Sequence, residues 1–273
     1  MSIAADNSDF EFDRGTALVP IGDGRFAGRI TRDYWIMVGP NGGYLAAIAL
    51  RGATLALSDA ARAPRSMHVR YLAPPKEGEF ELQTKLVRSG KSMSMLDVWL
   101  RQAGRECMTA SFCFSVAFSA PTFCDRTPPT ALPFTEAPAL TNAAPMNLRH
   151  DARLAIGEPR RAGARAETGG YLRFVDGRPV DMLALAAMWD WWPPAAFYRA
   201  TNPEWTTGLP TVEATVYFRR QLPFEGFRPQ DPVLLHTRSA MAHDGFIEED
   251  ADLWSSNGEL LVQSRQLAVA ASR

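Results

Sequence analysis

Cysteine is scarce in this chain of 273 residues, with only Cys107, Cys113 and Cys124. An odd set without metal-like spacing argues against a disulfide framework or a zinc site. Cys107 and Cys113 fall inside an alternating strand pattern, so the three read as reduced packing residues. A charge excess of one sign is missing too. The formal net charge is -1 and the arginines are scattered, so no nucleic acid or other polyanion is expected as a partner. No uncharged apolar run reaches the roughly 18 residues that a membrane helix needs. The opening MSIAADNSDFEFDRG lacks the basic segment and apolar run of a secretory signal. These absences lead to the expectation of a cytoplasmic protein without a membrane span. Familiar reactive motifs are also absent. Gly90-Lys91-Ser92 continues as Met93-Ser94 and makes no G-x-S-x-G elbow, which excludes an α/β-hydrolase esterase. There is no P-loop, dinucleotide fingerprint, H-E-x-x-H or calcium loop, so no cofactor or metal is expected.

What is present is a large apolar fraction, 46%, enough for one large domain or two modest ones. The stretch WIMVGPNGGYLAAIALRGATLAL, Trp35 to Leu57, is apolar on every side up to Arg51. A surface helix carries a polar stripe; this segment predicts a helix over about 42–58 that is buried all round. A second apolar helical run is DMLALAAMWDWWPP, starting at Asp181. Between the two lies SAPTFCDRTPPTALPFTEAPALTNAAP, rich in proline and without periodicity, which reads as a linker or an extended surface crossing.

The pattern on either side of that linker recurs. Each half has an aromatic residue leading to a proline (Tyr71 to Pro74, Phe218 to Pro223), then a strand and a polar turn (Ser89-Gly90-Lys91, His243-Asp244-Gly245). Another strand follows, then a turn ending in Gly104 or Gly258 and a closing strand. From that last turn onward the halves match without gaps. Such a repeat means two copies of one structural unit. Alternation is clear in the closing strand of the first copy. Met108, Ala110, Phe112, Phe114, Val116 and Phe118 face one way, as in an antiparallel sheet with one face on a core. A twisted sheet curled around each helix accounts for the missing polar stripe.

Helix followed by meander, written twice, resembles the double hot-dog fold, an α+β architecture of two tandem repeats in which an antiparallel sheet wraps a long central helix. The details resemble the bacterial type II acyl-CoA thioesterases. In the first half the likeness rests on NGGYLAAIALRGA, HVRYLAP and SGKSMSMLDVWLRQAGRECMTASF. In the second it rests on GGYLRFVDGRPVDMLALAAMWD, PTVEATVYFRR and NGELLVQSRQ. It implies a hot-dog unit over 1–118, a linker over 119–145 and a second unit over 146–273 that carries the catalytic residues. It further implies a fatty-acid-metabolism hydrolase that acts on acyl-CoA without a cofactor and associates as a homodimer. In that family an Asp, a Thr and a Gln of the second half hold a water molecule. Matched motif by motif, they fall on Asp190, Thr211 and Gln266. Where the family shows a more polar run after the Asp, this chain has WWPP.

The residues also carry their own chemistry. Asp190 lies among Met188, Trp189, Trp191 and Trp192. Desolvation there would raise its pKa and make it a better base; the alternative is a helix-end carboxylate bonded to a backbone amide. A carboxylate is unfavourable at a helix C-terminus, which weighs against a purely structural role. Thr211 opens an alternating strand with Thr211, Glu213 and Thr215 on one face, and threonine suits a strand for structural reasons alone. Gln266 shares a mostly apolar face with Leu260, Val262, Ser264 and Ala268, so a buried amide there would need a partner. Asn41 suits a helix N-cap. The amides of Gly42 and Gly43 could serve a thioester oxyanion, or the glycines could serve close packing. Trp189, Trp191 and Trp192 read as core filling rather than the wall of an acyl tunnel. Two other functions stand beside hydrolysis: a non-catalytic acyl-CoA-binding relative, and an enoyl-CoA hydratase centred on a histidine. His68 and His243 are the tempting positions for the latter, and His150 and His236 show no acidic neighbour in register.

Overall fold

The alternating segments pair into a 13-stranded sheet in which each named pairing is antiparallel. The computed structural model describes residues 8–36, 39–141, 144–157, 165–199 and 208–270. The first half contributes β1 (Leu18–Gly22), β2 (Arg25–Ile30), β3 (Ala63–Tyr71), β4 (Gly78–Ser89), β5 (Met93–Gln102) and β6 (Arg105–Ser115). The second contributes β7 (His150–Ile156), β8 (Ala166–Phe174), β9 (Thr211–Phe218), β10 (Val233–Ser239), β11 (Ala242–His243), β12 (Phe246–Trp254) and β13 (Leu260–Val269). The helices among the described residues are α1 (Glu11–Gly15), α2 (Gly42–Leu57) and α3 (Met182–Met188).

The seam of the sheet is β3 against β9, where Met67 faces Val216 and Val69 faces Ala214. Outward from it the order is β3-β6-β5-β4-β2-β1 on one side and β9-β13-β12-β10-β8-β7 on the other. Corresponding strands of the two copies therefore stand at mirrored places, and the repeat in the sequence becomes a pseudo-twofold arrangement. Along β6, Met108, Ala110, Phe112 and Phe114 are buried, as their two-residue period requires.

α2 runs for 16 residues with Gly43 to Leu50 buried without a break. It packs on β4, β5 and β6 and against α3, so a sheet and a second helix cover it and no polar stripe is needed. The helix of the second half departs from expectation. α3 has only seven residues, so the long central helix is found in the first copy and not in the second. Trp189 still has helical backbone angles, but Pro193 and Pro194 follow, and proline disfavours helix for itself and its predecessor. The chain instead turns into a short 3-10 segment, Ala195–Tyr198.

The Trp-rich segment is core. Trp191 is 1% exposed, stacks on His150 at 5.0 Å and meets Phe12 and Phe174 edge-on. Burial drives the His150 pKa down to about 4, which keeps its ring neutral. The proline-rich crossing lies along the free edge of β7. Leu132 N–H donates to Ala155 O, Leu140 N–H to Ala152 O, and Leu154 N–H to Pro138 O. It thereby covers what would be an open sheet edge.

Candidate active site

The expected residues come from four places: Gly42 and Gly43 from α2, Asp190 from just past α3, Thr211 from β9 and Gln266 from β13. Asn41, the N-cap of α2, accepts a hydrogen bond from Tyr44 N–H with its side-chain oxygen. Its Nδ2 donates at 2.9 Å to the Asp190 carboxylate and at 2.9 Å to the Asp190 backbone carbonyl. Gly43 N–H also donates to that carboxylate, at 2.9 Å. Asp190 thus follows the C-terminal end of α3, yet its charge sits at the N-terminus of α2. The dipole of the second helix compensates what the first would penalise. The Gly43 amide is engaged by Asp190 here rather than left open to an oxyanion. A β-carbon on Gly43 would come 2.1 Å from Ala187 O, so this glycine is required for the close helix crossing. A β-carbon on Gly42 would come 3.0 Å from the Asp190 carboxylate and 2.9 Å from the Tyr71 hydroxyl, which donates to Gly42 O.

Burial pushes the Asp190 pKa up to about 7, against the lowering effect of bonds from Gly43, Asn41 and Gly42. A carboxylate poised there can take a proton near neutral pH.

Thr211 and Gln266 meet directly: the Thr211 hydroxyl donates to Gln266 Oε1 at 2.6 Å. The simple alternation that put Thr211 with Glu213 and Thr215 does not survive. The β9–β13 register shifts between Leu267 and Ala268, and Thr211 pairs with Ala268 while Glu213 pairs with Leu267. Such an irregularity turns one side chain to the other face. Thr211 joins Gln266 on the core side, while Glu213 and Thr215 face His68, whose Nδ1 lies 3.0 Å from Thr215 Oγ1.

Sequence reasoning passed over Glu249. It lies opposite Gln266 in the β12–β13 register, is 6% exposed, and accepts from Gln266 Nε2 at 2.9 Å and from Ala195 N–H at 2.5 Å. Burial drives its pKa up to about 8, with the nearby Asp190 charge adding to the rise. A signal for it did exist in the repeat. The same distance beyond the turn glycines Gly104 and Gly258, Phe112 stands where Gln266 stands. Phe112 pairs with Leu96, both buried, where Gln266 pairs with Glu249. One copy has an apolar pair and the other a polar one at equivalent core positions.

The remaining histidines lie elsewhere. His236 has an acidic neighbour after all, Glu167 Oε1 at 2.8 Å from Nε2, because the two strands place them diagonally across β8 and β10. That pair shares the sheet face of Leu234, opposite the core-facing Val233 and Leu235. His243 lies on the exposed β11. Among the described residues no group of His, Cys, Asp and Glu is placed to hold a metal ion, and no helix is long and apolar enough to cross a membrane.

Residues 31–115 match the family model of the acyl-CoA thioesterase N-terminal domain, and residues 121–270 match that of the C-terminal domain. The chain belongs to the acyl-CoA thioesterase family. Solved structures agree. A hot-dog protein of unknown function from Alicyclobacillus acidocaldarius is 26% identical, with a TM-score of 0.86, over 97% of this chain and 100% of its own. A candidate thioesterase II of Thermobifida fusca is 25% identical at a TM-score of 0.84, covering 96% of this chain and 98% of its own. An acyl-CoA thioesterase II of Mycobacterium marinum, 18% identical at a TM-score of 0.75 over 94% and 97% of the two chains, shares the fold. No curated protein matches by sequence. Thioesterase chemistry is thus the activity that family and fold support together, and the buried polar group on β9, β12 and β13 lies within the C-terminal domain match.

Proposed function

We propose that this thioesterase-family chain hydrolyses acyl-CoA to a free fatty acid and CoA by direct attack of water. Asp190 takes a proton from the water as its oxygen bonds to the thioester carbonyl carbon. Thr211 and Gln266 hold that water. When the tetrahedral intermediate collapses, the carbon–sulfur bond breaks and Asp190 returns the proton to the departing thiolate. The positive end of α2 at Asp190 favours negative charge developing nearby, even with the Gly43 amide engaged. The observation that carries the reading is the direct Thr211–Gln266 bond on a core face, together with a base raised to about 7. In this reading the protein acts in the cytoplasm in fatty acid metabolism, as a homodimer and without a cofactor, and residues 1–118 and 146–273 are its two hot-dog units.

The test is free-thiol release from short, medium and long acyl-CoAs by the wild type and Asp190→Asn. General-base catalysis contributes about 100- to 10,000-fold, so the variant should lose at least about 100-fold in kcat while still binding acyl-CoA. Near-normal turnover by Asp190→Asn would remove it from this role. Binding without thiol release by the wild type would favour a non-catalytic relative. Hydration of enoyl-CoA, abolished by His236→Gln, would favour the His236–Glu167 pair instead.

A further inference from the structure

We infer that Glu249 is a positioning residue that sets the direction of the hydrogen bonds from Gln266 through Thr211 to the attacking water; the inference rests on the hydrolytic reading above. The argument is one of donors and acceptors. A Gln amide has one accepting end and one donating end. Glu249 accepts from Gln266 Nε2, which turns Gln266 Oε1 toward Thr211. Thr211 must then donate its single hydroxyl proton to Gln266, which leaves its oxygen lone pairs as acceptors. A water beside Thr211 therefore donates a hydrogen to it and can donate the other to Asp190. That arrangement directs a water lone pair at the thioester carbon.

If the group at position 249 donated instead, Gln266 would turn over. Its Nε2 would donate to Thr211, whose own hydroxyl hydrogen would then point at the water. The water would then accept that hydrogen with one of its two lone pairs and lose Thr211 as an acceptor, which draws electron density from its oxygen and removes one of the two acceptors that orient it. The sign of one buried group thus decides whether Thr211 accepts from the attacking water and orients it, or donates to it and weakens it as a nucleophile.

Position 249 is well suited to enforce this. Ala195 N–H holds Oε2, so the carboxylate cannot swing away, and the direct cross-strand pairing with Gln266 keeps the two side chains side by side. The groups bearing on it are Ala195 N–H, Gln266, Asp190 and, along its own strand, Glu248. The first repeat fills the corresponding positions with Leu96 and Phe112, so packing alone does not require a carboxylate and an amide here.

The experiment compares Glu249→Gln with the exchange Glu249→Gln/Gln266→Glu, measuring kcat and KM for thiol release at about pH 9, where the wild-type Glu249 is ionised and accepts. In Glu249→Gln the side-chain oxygen stays on Ala195 N–H, so its NH2 faces Gln266 and reverses the chain. We expect kcat to fall about tenfold or more with KM nearly unchanged, the effect of one misdirected hydrogen bond at the transition state. In the exchange, the amide at 249 donates to a carboxylate at 266, which again accepts from Thr211. The expected kcat is at least about fivefold above the single variant. Wild-type kcat in Glu249→Gln, or an exchange no better than the single variant, overturns the inference. Should Glu249→Gln fail to fold, the exchange alone decides: kcat within about threefold of wild type supports the inference, and a loss of about tenfold or more overturns it. Failure of the hydrolytic reading would show separately, as absent thiol release by the wild type.

Discussion

Asn41 Nδ2 donates to both the carboxylate and the backbone carbonyl of Asp190, 149 residues away, while its own side-chain oxygen caps α2. One amide therefore closes the start of the first-half helix and the end of the second-half helix. It holds a carboxylate between them.

That junction depends on Gly43. A methyl group there would meet Ala187 O at 2.1 Å, and backbone cannot yield as a flexible side chain does. We expect Gly43→Ala to destabilise the protein by about 1–3 kcal/mol, the usual cost of overpacking. It should also lower kcat, because separating the helices moves Asp190. Urea unfolding and thiol release measured on the same samples check both outcomes.

Asp190→Asn should raise stability while it removes activity. The folded-state pKa is about 7 against an ordinary value of 3.8, so between those values the native state holds a proton that the unfolded chain has lost. The stability contributed by the protonated carboxyl is fully present below about pH 4 and is lost as pH rises through 7. An asparagine cannot ionise and escapes that loss. At pH 8 the variant should exceed wild type by about 4 kcal/mol, with the difference vanishing near pH 4. Melting temperatures across that range would test it; a variant less stable at pH 8 contradicts it.

The pH dependence of kcat follows from the same groups. In the proposed mechanism Asp190 is useful as a base only when ionised, and Glu249 directs Gln266 only when ionised and accepting. Their pKa values are raised to about 7 and about 8, so kcat should climb from pH 6 to a plateau near pH 9. A profile already flat by pH 6 would contradict that role for both carboxyls.

Trp191 belongs to an aromatic cluster with Phe12, Tyr34, His150 and Phe174. Trp191→Ala should cost about 3–5 kcal/mol in unfolding free energy, as expected for a large buried side chain. The residual activity should keep the wild-type preference for acyl length. A shifted preference would mean that this ring lines the acyl site.

Much of the architecture was legible because it rests on short-range periodicity and on repetition. The all-apolar run after Asn41 could only be a covered helix, and the turn glycines Gly104 and Gly258 aligned the two closing strands. α3 was overestimated in length because an apolar helical run was read through to the tryptophans, while Pro193 and Pro194 act on the residues before them. Glu249 escaped notice because EED looks like a solvated strand face; only the pairing with Gln266 shows which of its acids turns inward.

The sequence by itself determined the repeat, the alternation of the strands, the N-cap at Asn41 and the residue types available for hydrolysis, since each depends on neighbours a few positions apart. Tertiary structure decided where those residues lie and what they touch. The irregularity between β9 and β13 turns Thr211 inward, and the crossing of α2 and α3 gives the Gly43 amide to Asp190. Burial lifts two carboxyls toward neutral pH. Register, helix crossing and desolvation are set by contacts between distant segments, and no local pattern encodes them.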